Sequence, residues 1–232
     1  MGARRSDTEL MDSSGILYGD LDTALQDLGV INRWLGGHRT TRIGVERLVR
    51  HYPAGTMFTV LDIGSGGTDL GDVLRPLGRD FRVTGLDINP LMREFAIRHG
   101  HTTEVVTGSA HALSYPDRSF DIVHASLFLH HCTDGEAARL IREAMRIARI
   151  GVVINDLQRN PIALMGISLL TALFARSSIV RHDAPLSVRR AFTRRELASI
   201  LTHAAVDGAS TSWHWAFRWC LSIAAMQGGE GG

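Results

Sequence analysis

Cysteine is nearly absent: Cys132 and Cys220 are the two thiols among 232 residues. That count excludes a disulfide framework and a cysteine-rich zinc site, and it suits a reducing cytoplasm. An excess of one charge is missing too. Lys and Arg number 25 against 24 acidic side chains, a net charge of +1. Nothing in that balance calls for a nucleic acid or an anionic membrane as partner. The pairs Arg189–Arg190 and Arg194–Arg195 read as solvated helix faces. The first residues lack the apolar stretch of a secretory signal. Long apolar runs are scarce as well. Pro161 to Val180 is mostly apolar, but Gly166, Ser168, Thr171 and Arg176 break it short of the ~18 residues a spanning helix needs. A buried or pocket-lining helix is expected there.

What is present is a rhythm of strands and helices. Asp20 to Leu28 has apolar residues at helical spacing, Asn32 to Gly37 reads as a turn, and Thr40 to His51 reads as a second helix. Five short apolar runs follow, at 57–61, 81–86, 103–107, 120–125 and 151–154. Helical patterns lie between most of them, at 69–77, 90–99 and 134–149. Such alternation implies right-handed crossovers and a mainly parallel sheet covered on both faces. A basic loop is expected over 181–190, a helix capped by Thr193 with Glu196 three residues on, and a strand or hairpin over 211–225. The expected division is one domain over 16–226 between flexible ends at 1–15 and 227–232. Helices occupy 16–52 of it, a ligand-binding core 57–156 and an insertion 157–192.

Chemistry concentrates at the ends of the strands. Leu61-Asp62-Ile63-Gly64-Ser65-Gly66-Gly67-Thr68-Asp69 follows the first strand and opens a helix. Gly64 and Gly66 remove the Cβ atoms that hold a backbone away from a ligand. In an open parallel sheet such a loop lies at the ligand-binding switch point. The dinucleotide fingerprint would place a third glycine at Asp69, and a phosphate-binding Walker loop needs a lysine that is not nearby. A carboxylate at Asp62 repels a pyrophosphate and suits a cationic ligand. Asp87, about twenty residues beyond the glycines, ends the second strand where an acid accepts ribose hydroxyls. Ser109-Ala110, after the third strand, leaves room for a flat purine.

The set LDIGSGG, GLDIN and GSAHALSYPDRSFDIV resembles the class I S-adenosylmethionine-dependent methyltransferases. The likeness is to the branch containing ubiquinone/menaquinone C-methyltransferases and small-molecule O-methyltransferases, and it covers roughly 57–156. It implies a Rossmann-like α/β fold with a mostly parallel seven-stranded sheet, a helical N-terminal extension and a helical insertion after strand 5. It also implies S-adenosylmethionine as cofactor, with S-adenosylhomocysteine as product. The cofactor-binding positions it implies are Asp62, Gly64, Ser65, Gly66, Asp69, Asp87, Ile88, Ser109, Ala110 and Ser126. Arg33 joins them because the Asn32–Gly37 stretch resembles the helices that cover the cofactor in part of this branch. Thr68 departs from the family, where many members carry a third glycine.

The end of the fourth strand, Ala125 to Cys132, faces the methyl group in this fold. A histidine there has the pKa for a general base at neutral pH, so His130 and His131 are the catalytic candidates, His130 first. No metal site is expected: adjacent histidines rarely converge on one ion, and the fourth strand ends on Ala125-Ser126 rather than on the carboxylate of the metal-dependent catechol enzymes. The apolar insertion implies a small apolar or aromatic acceptor, a phenol, quinone or polyketide product, methylated on oxygen or carbon; it also suits a homodimer interface. The rival readings are an NAD-dependent oxidoreductase and a non-catalytic cofactor-binding partner subunit of the same fold.

Overall fold

The computed structural model describes residues 4–12, 15–67, 69–101 and 103–225. Thr68 and the tail at 227–232 lie outside the described residues. One sheet of seven strands runs through the molecule: β1 Met57–Ile63, β2 Asp80–Asp87, β3 Glu104–Thr107, β4 Phe120–Ser126, β5 Ala148–Leu157, β6 Ser210–His214 and β7 Arg218–Ala224. The strand order is β3-β2-β1-β4-β5-β7-β6. The first five strands pair in parallel, and β7 runs antiparallel between β5 and β6. The switch of direction lies between β1 and β4, where the order leaves β1 to either side. Register puts Ile63 beside both Leu86 and Ala125, and Asp87 beside Thr107. Residues 64–67, 87–88, 108–110 and 126–128 therefore emerge together at one edge.

Helices cover both faces. On one side α5 (Asp134–Ile147) and α8 (Arg194–His203) bury Leu140, Ile141, Leu197 and Ile200 against the sheet. Both begin with a capping box, Thr133 with Glu136 and Thr193 with Glu196, so two orphan N–H groups are satisfied at each start. On the other side α2 (Gly37–Val49) and the short α3 (Leu70–Leu74) pack Val45, Leu48 and Leu70 on Val60 and Val83. The helix α1 (Tyr18–Trp34) joins two apolar clusters. Its Leu21 and Leu25 meet α4 (Leu91–Arg98), while Ala24 and Ile31 meet α6 (Pro161–Phe174) and α7 (Ser178–Arg190).

Three expectations change. Residues 181–190 are not a basic loop but most of α7, which carries Pro185 inside it. Ile179, Val180, Ala184 and Val188 recur at helical spacing and are buried, which outweighs the local charge and the proline. The helix α6 is neither buried nor enclosed. It buries Ile167 and Thr171 and leaves Ile162, Met165, Leu169, Leu173 and Phe174 between 61% and 76% exposed. Residues 4–12, expected to be flexible, are tied down. The N–H groups of Leu10 and Met11 donate to the Asp183 carboxylate, at 2.9 Å each, and the Arg4 guanidinium donates to the Cys132 carbonyl at 2.7 Å.

Candidate functional site

The turn after β1 is held to the end of β2. Gly64 and Ser65 donate their N–H groups to the Leu86 carbonyl, at 2.8 and 3.2 Å. Gly66 N–H donates to Asp87 Oδ2 at 3.0 Å, and the other oxygen accepts from Asn89 N–H at 2.9 Å. Both glycines have positive φ, +64° at Gly64 and +52° at Gly66, a region costly for other residues. Their surroundings differ. A Cβ at Gly64 would stand 2.3 Å from the Phe128 ring, while one at Gly66 would meet nothing closer than 4.0 Å. The loop is thus crowded at its first glycine and open at its second. Ser65 has a buried hydroxyl with no hydrogen-bond partner among the described residues, and such groups ordinarily find one.

Asp87 sits at the rim of this space. Burial raises its carboxyl above the ordinary carboxylate range, against the two N–H groups that favour its charge. Each oxygen keeps acceptor capacity beyond the one N–H it holds. Ile88 beside it is 72% exposed, an apolar face without cover. Gly108 N–H donates to the Asp87 carbonyl at 2.8 Å, which brings Ser109 and Ala110 alongside. The Ser109 hydroxyl accepts from His111 N–H at 3.2 Å, and Ala110 is half-buried against the core.

Other predicted residues serve the scaffold. Asp62 is buried and accepts from His124 Nδ1 at 2.6 Å. The Thr41 hydroxyl meets His124 Nε2 at 3.1 Å, and Asn155 Nδ2 reaches Thr41 at 3.1 Å and Ser126 Oγ at 3.2 Å. Asp62 and Ser126 are therefore joined through one buried polar chain of His124, Thr41 and Asn155. Arg218, also buried, donates to the Leu35 carbonyl at 3.0 Å and to Asn155 Oδ1 at 3.4 Å; burial lowers its pKa to about 10, so it stays a cation. Asp69 caps α3 and accepts from the Thr103 hydroxyl at 3.0 Å. Arg33 is exposed at the end of α1, away from the glycines; it is Leu25 of that helix that touches the loop, where a Cβ on Gly67 would stand 2.9 Å from it.

The two catalytic candidates differ in burial. His130 is buried in the 3-10 turn Leu129–His131. Its Nδ1–H donates to Asp156 Oδ1 at 2.7 Å, its backbone N–H donates to Asp156 Oδ2 at 2.8 Å, and its Nε2 faces Glu9 at 3.6 Å. Burial opposes a charge on the ring, but the two carboxylates outweigh it and hold its pKa at about 10. The ring therefore sits between two carboxylates, one on each side. His131 is partly exposed, with Nδ1 3.2 Å from Asp12 and Nε2 3.8 Å from Glu9. A cleft of about 1000 Å³ lies beside this region, lined by Arg4, Arg159, Leu164, His182, Leu186 and Arg189 among others. It is more basic than the apolar insertion implied.

Several of these residues escape sequence reasoning. His124 and Thr41 gain meaning when β1 and β4 pair and Asp62 falls opposite His124. Leu127 takes φ +55° directly after β4, which turns Phe128 onto Gly64; no residue type announces it. Glu9 lies more than a hundred residues from its partners.

Residues 61–154 match the family model of a methyltransferase domain. Over that stretch the chain resembles a methyltransferase domain. Over 100 residues it is 37% identical to a ubiquinone/menaquinone biosynthesis C-methyltransferase of Hahella chejuensis, covering 40% of this chain and 39% of that one. It is 33% identical over 118 residues to the 27-O-demethylrifamycin SV methyltransferase of Amycolatopsis mediterranei, covering 48% of this chain and 42% of the other. The matched stretch thus spans well under two thirds of these relatives. In fold it is similar to human N-acetylserotonin methyltransferase, solved in complex with SAM, with a TM-score of 0.62 and 17% identity over 90% of this chain and 56% of that one. The fold is that of the class I methyltransferases: the parallel strands, the glycine turn after β1 and the antiparallel β7 are its frame.

Proposed function

We propose that this domain transfers a methyl group from S-adenosylmethionine to an oxygen or carbon of a small aromatic or largely apolar acceptor, a phenol, quinone or polyketide product. The observation that carries the reading is the open second glycine beside Asp87. The Gly66 backbone is clear, the Ser65 hydroxyl is unpartnered, and Asp87 and exposed Ile88 present an acceptor and an apolar face to one space. Gly64–Gly66 would take the amino-acid end of the cofactor, Asp87 the ribose hydroxyls, and Ile88 with Ser109-Ala110 the adenine. When bound, the sulfonium supplies a methyl group already attached to a good leaving group. The protein's own residues then align and dehydrate the acceptor. The acceptor side is the cleft with Leu164 and Leu186 beside arginines, which suits an apolar body bearing an acidic hydroxyl. Among the relatives, one name specifies a C-methyltransferase of quinone biosynthesis and another an O-demethylated rifamycin as substrate.

Calorimetric titration tests the cofactor. S-adenosylmethionine or S-adenosylhomocysteine binds one per chain and NADH does not, and Asp87→Ala weakens binding at least tenfold, about 1.4 kcal/mol. Tight NADH binding would instead favour an oxidoreductase. Turnover with radiolabelled cofactor on phenols and quinols separates the enzyme from a binding subunit of the same fold. The uncharged face of α6 supports a homodimer, a self-complementary contact of the two-fold kind. Sedimentation should give a dimer that Leu169→Glu converts to a folded monomer.

A further inference from the structure

We propose that Glu9, His130 and His131 form a site for one divalent transition-metal ion, with Asp156 and Asp12 holding the two imidazoles from behind. The ligand atoms of these three residues all lie within 4.8 Å of one another, and among the described residues no other group of His, Cys, Asp and Glu comes together in this way. The detail is what points to an ion. Glu9 Oε1 stands 3.6 Å from His130 Nε2, and Glu9 Oε2 stands 3.8 Å from His131 Nε2. Both spacings are too long for an N–H···O hydrogen bond. Two ligands at the usual ~2.1 Å from one tetrahedral ion stand about 3.4 Å apart, so the observed spacings are those of groups that share an ion, opened by a few tenths of an ångström.

The rest of each imidazole is prepared for the role. Metal-bound histidine almost always gives its other ring N–H to a carboxylate, which fixes the ring and raises its basicity. Here His130 Nδ1 meets Asp156 at 2.7 Å and His131 Nδ1 meets Asp12 at 3.2 Å. Both Nε2 atoms are thereby turned toward Glu9. Glu9 is itself oriented: Oε1 accepts from the Ser187 hydroxyl at 2.8 Å. The nearest competing cation is Arg190, whose Nη1 lies 3.9 Å from Oε1, and the carboxylate offers both oxygens to the ion, Oε1 on the His130 side and Oε2 on the His131 side. Two imidazoles and one carboxylate select zinc, cobalt, manganese or ferrous iron over magnesium or calcium, which prefer all-oxygen shells. The adjacent histidines converge because the 3-10 turn at Leu129–His131 tilts the two rings together, with centroids 4.4 Å apart. An ion there would clip the segment 4–12, which brings Glu9 and Asp12, onto the turn that follows β4.

The test uses the full chain freed of any affinity tag. Co²⁺ titration should give visible d–d absorption that saturates at one ion per chain, be displaced by Zn²⁺, and be unaffected by Mg²⁺. Glu9→Gln and His131→Gln should each weaken Co²⁺ binding at least tenfold, and Asp12→Asn about tenfold through the orientation of His131. Replacing His99 and His101, a pair with ring centroids 6.2 Å apart on another face, with alanine should leave Co²⁺ binding unchanged. Circular dichroism and S-adenosylhomocysteine affinity report whether each variant is folded; if His131→Gln is not, the milder Asp12→Asn decides. Absence of Co²⁺ bands in the wild-type chain overturns the site. So does binding that survives Glu9→Gln, His131→Gln and Asp12→Asn but is lost without His99 and His101. Because the readout is metal binding rather than turnover, either result leaves the methyl-transfer reading to its own test.

Discussion

Gly64 and Gly66 look interchangeable in the sequence, yet alanine at each should act through a different cause. Both sites hold positive φ, so a side chain costs roughly 1–2 kcal/mol of backbone strain at either. Gly64→Ala adds a collision with the Phe128 ring and should lower the thermal midpoint and cofactor affinity together. Gly66→Ala meets open space; it should cost only the strain in a urea unfolding curve while projecting a methyl group into the cofactor's place and weakening S-adenosylmethionine binding severely. Equal losses of affinity and stability at both positions would contradict this assignment. Asp62 gives the complementary case. Asp62→Ala leaves His124 buried without its acceptor and should cost about 1–3 kcal/mol in chemical unfolding, more than its effect on cofactor binding. The motif made Asp62 conspicuous, but its partner was invisible until β1 and β4 paired. His130 was legible as a polar residue at a functional strand end. Its grip between Asp156 and Glu9 was not, because those carboxylates come from β5 and from the N-terminal segment.

Elements were readable where one local signal dominated. The capping box at Thr133 names the start of α5, and Thr133→Ala should cost ~1 kcal/mol. The five parallel strands carry their own apolar runs. Reading failed for α7, where Arg181, His182, Asp183, Arg189 and Arg190 surround the apolar positions and Pro185 interrupts them; burial against α1 and α6 decided the matter. His38, on α2, adds a pH dependence. Burial, and then Arg42, Arg218 and Arg33, lower its pKa from 6.5 to about 4. The folded state therefore resists protonation that the unfolded chain accepts below about 6.5. Folded and unfolded rings are both neutral at pH 7, and stability is lost as pH falls from about 6.5 toward 4, where the folded form begins to protonate as well. Unfolding curves at pH 7 and pH 4.5 should show a smaller acid loss in His38→Gln than in the wild type; an unchanged difference would remove His38 from the account.

At the scale of the whole molecule, the site is a product of convergence. The glycine turn, Asp87, Ile88 and Ser109-Ala110 come from separate loops and meet because parallel pairing aligns the strand ends. The sequence by itself determined that alignment in outline: apolar strands alternating with helices can be buried only as a covered parallel sheet, and its loops then gather at one edge. Local patterns of this kind survive in a linear reading because each is written within a few residues. Tertiary structure alone decided that the N-terminal segment closes over His130 and His131, that Asp62 belongs to His124, and that α6 turns its apolar face outward. Those outcomes depend on charge and burial balanced between groups up to about three quarters of the chain apart, and no local spacing encodes which distant carboxylate arrives.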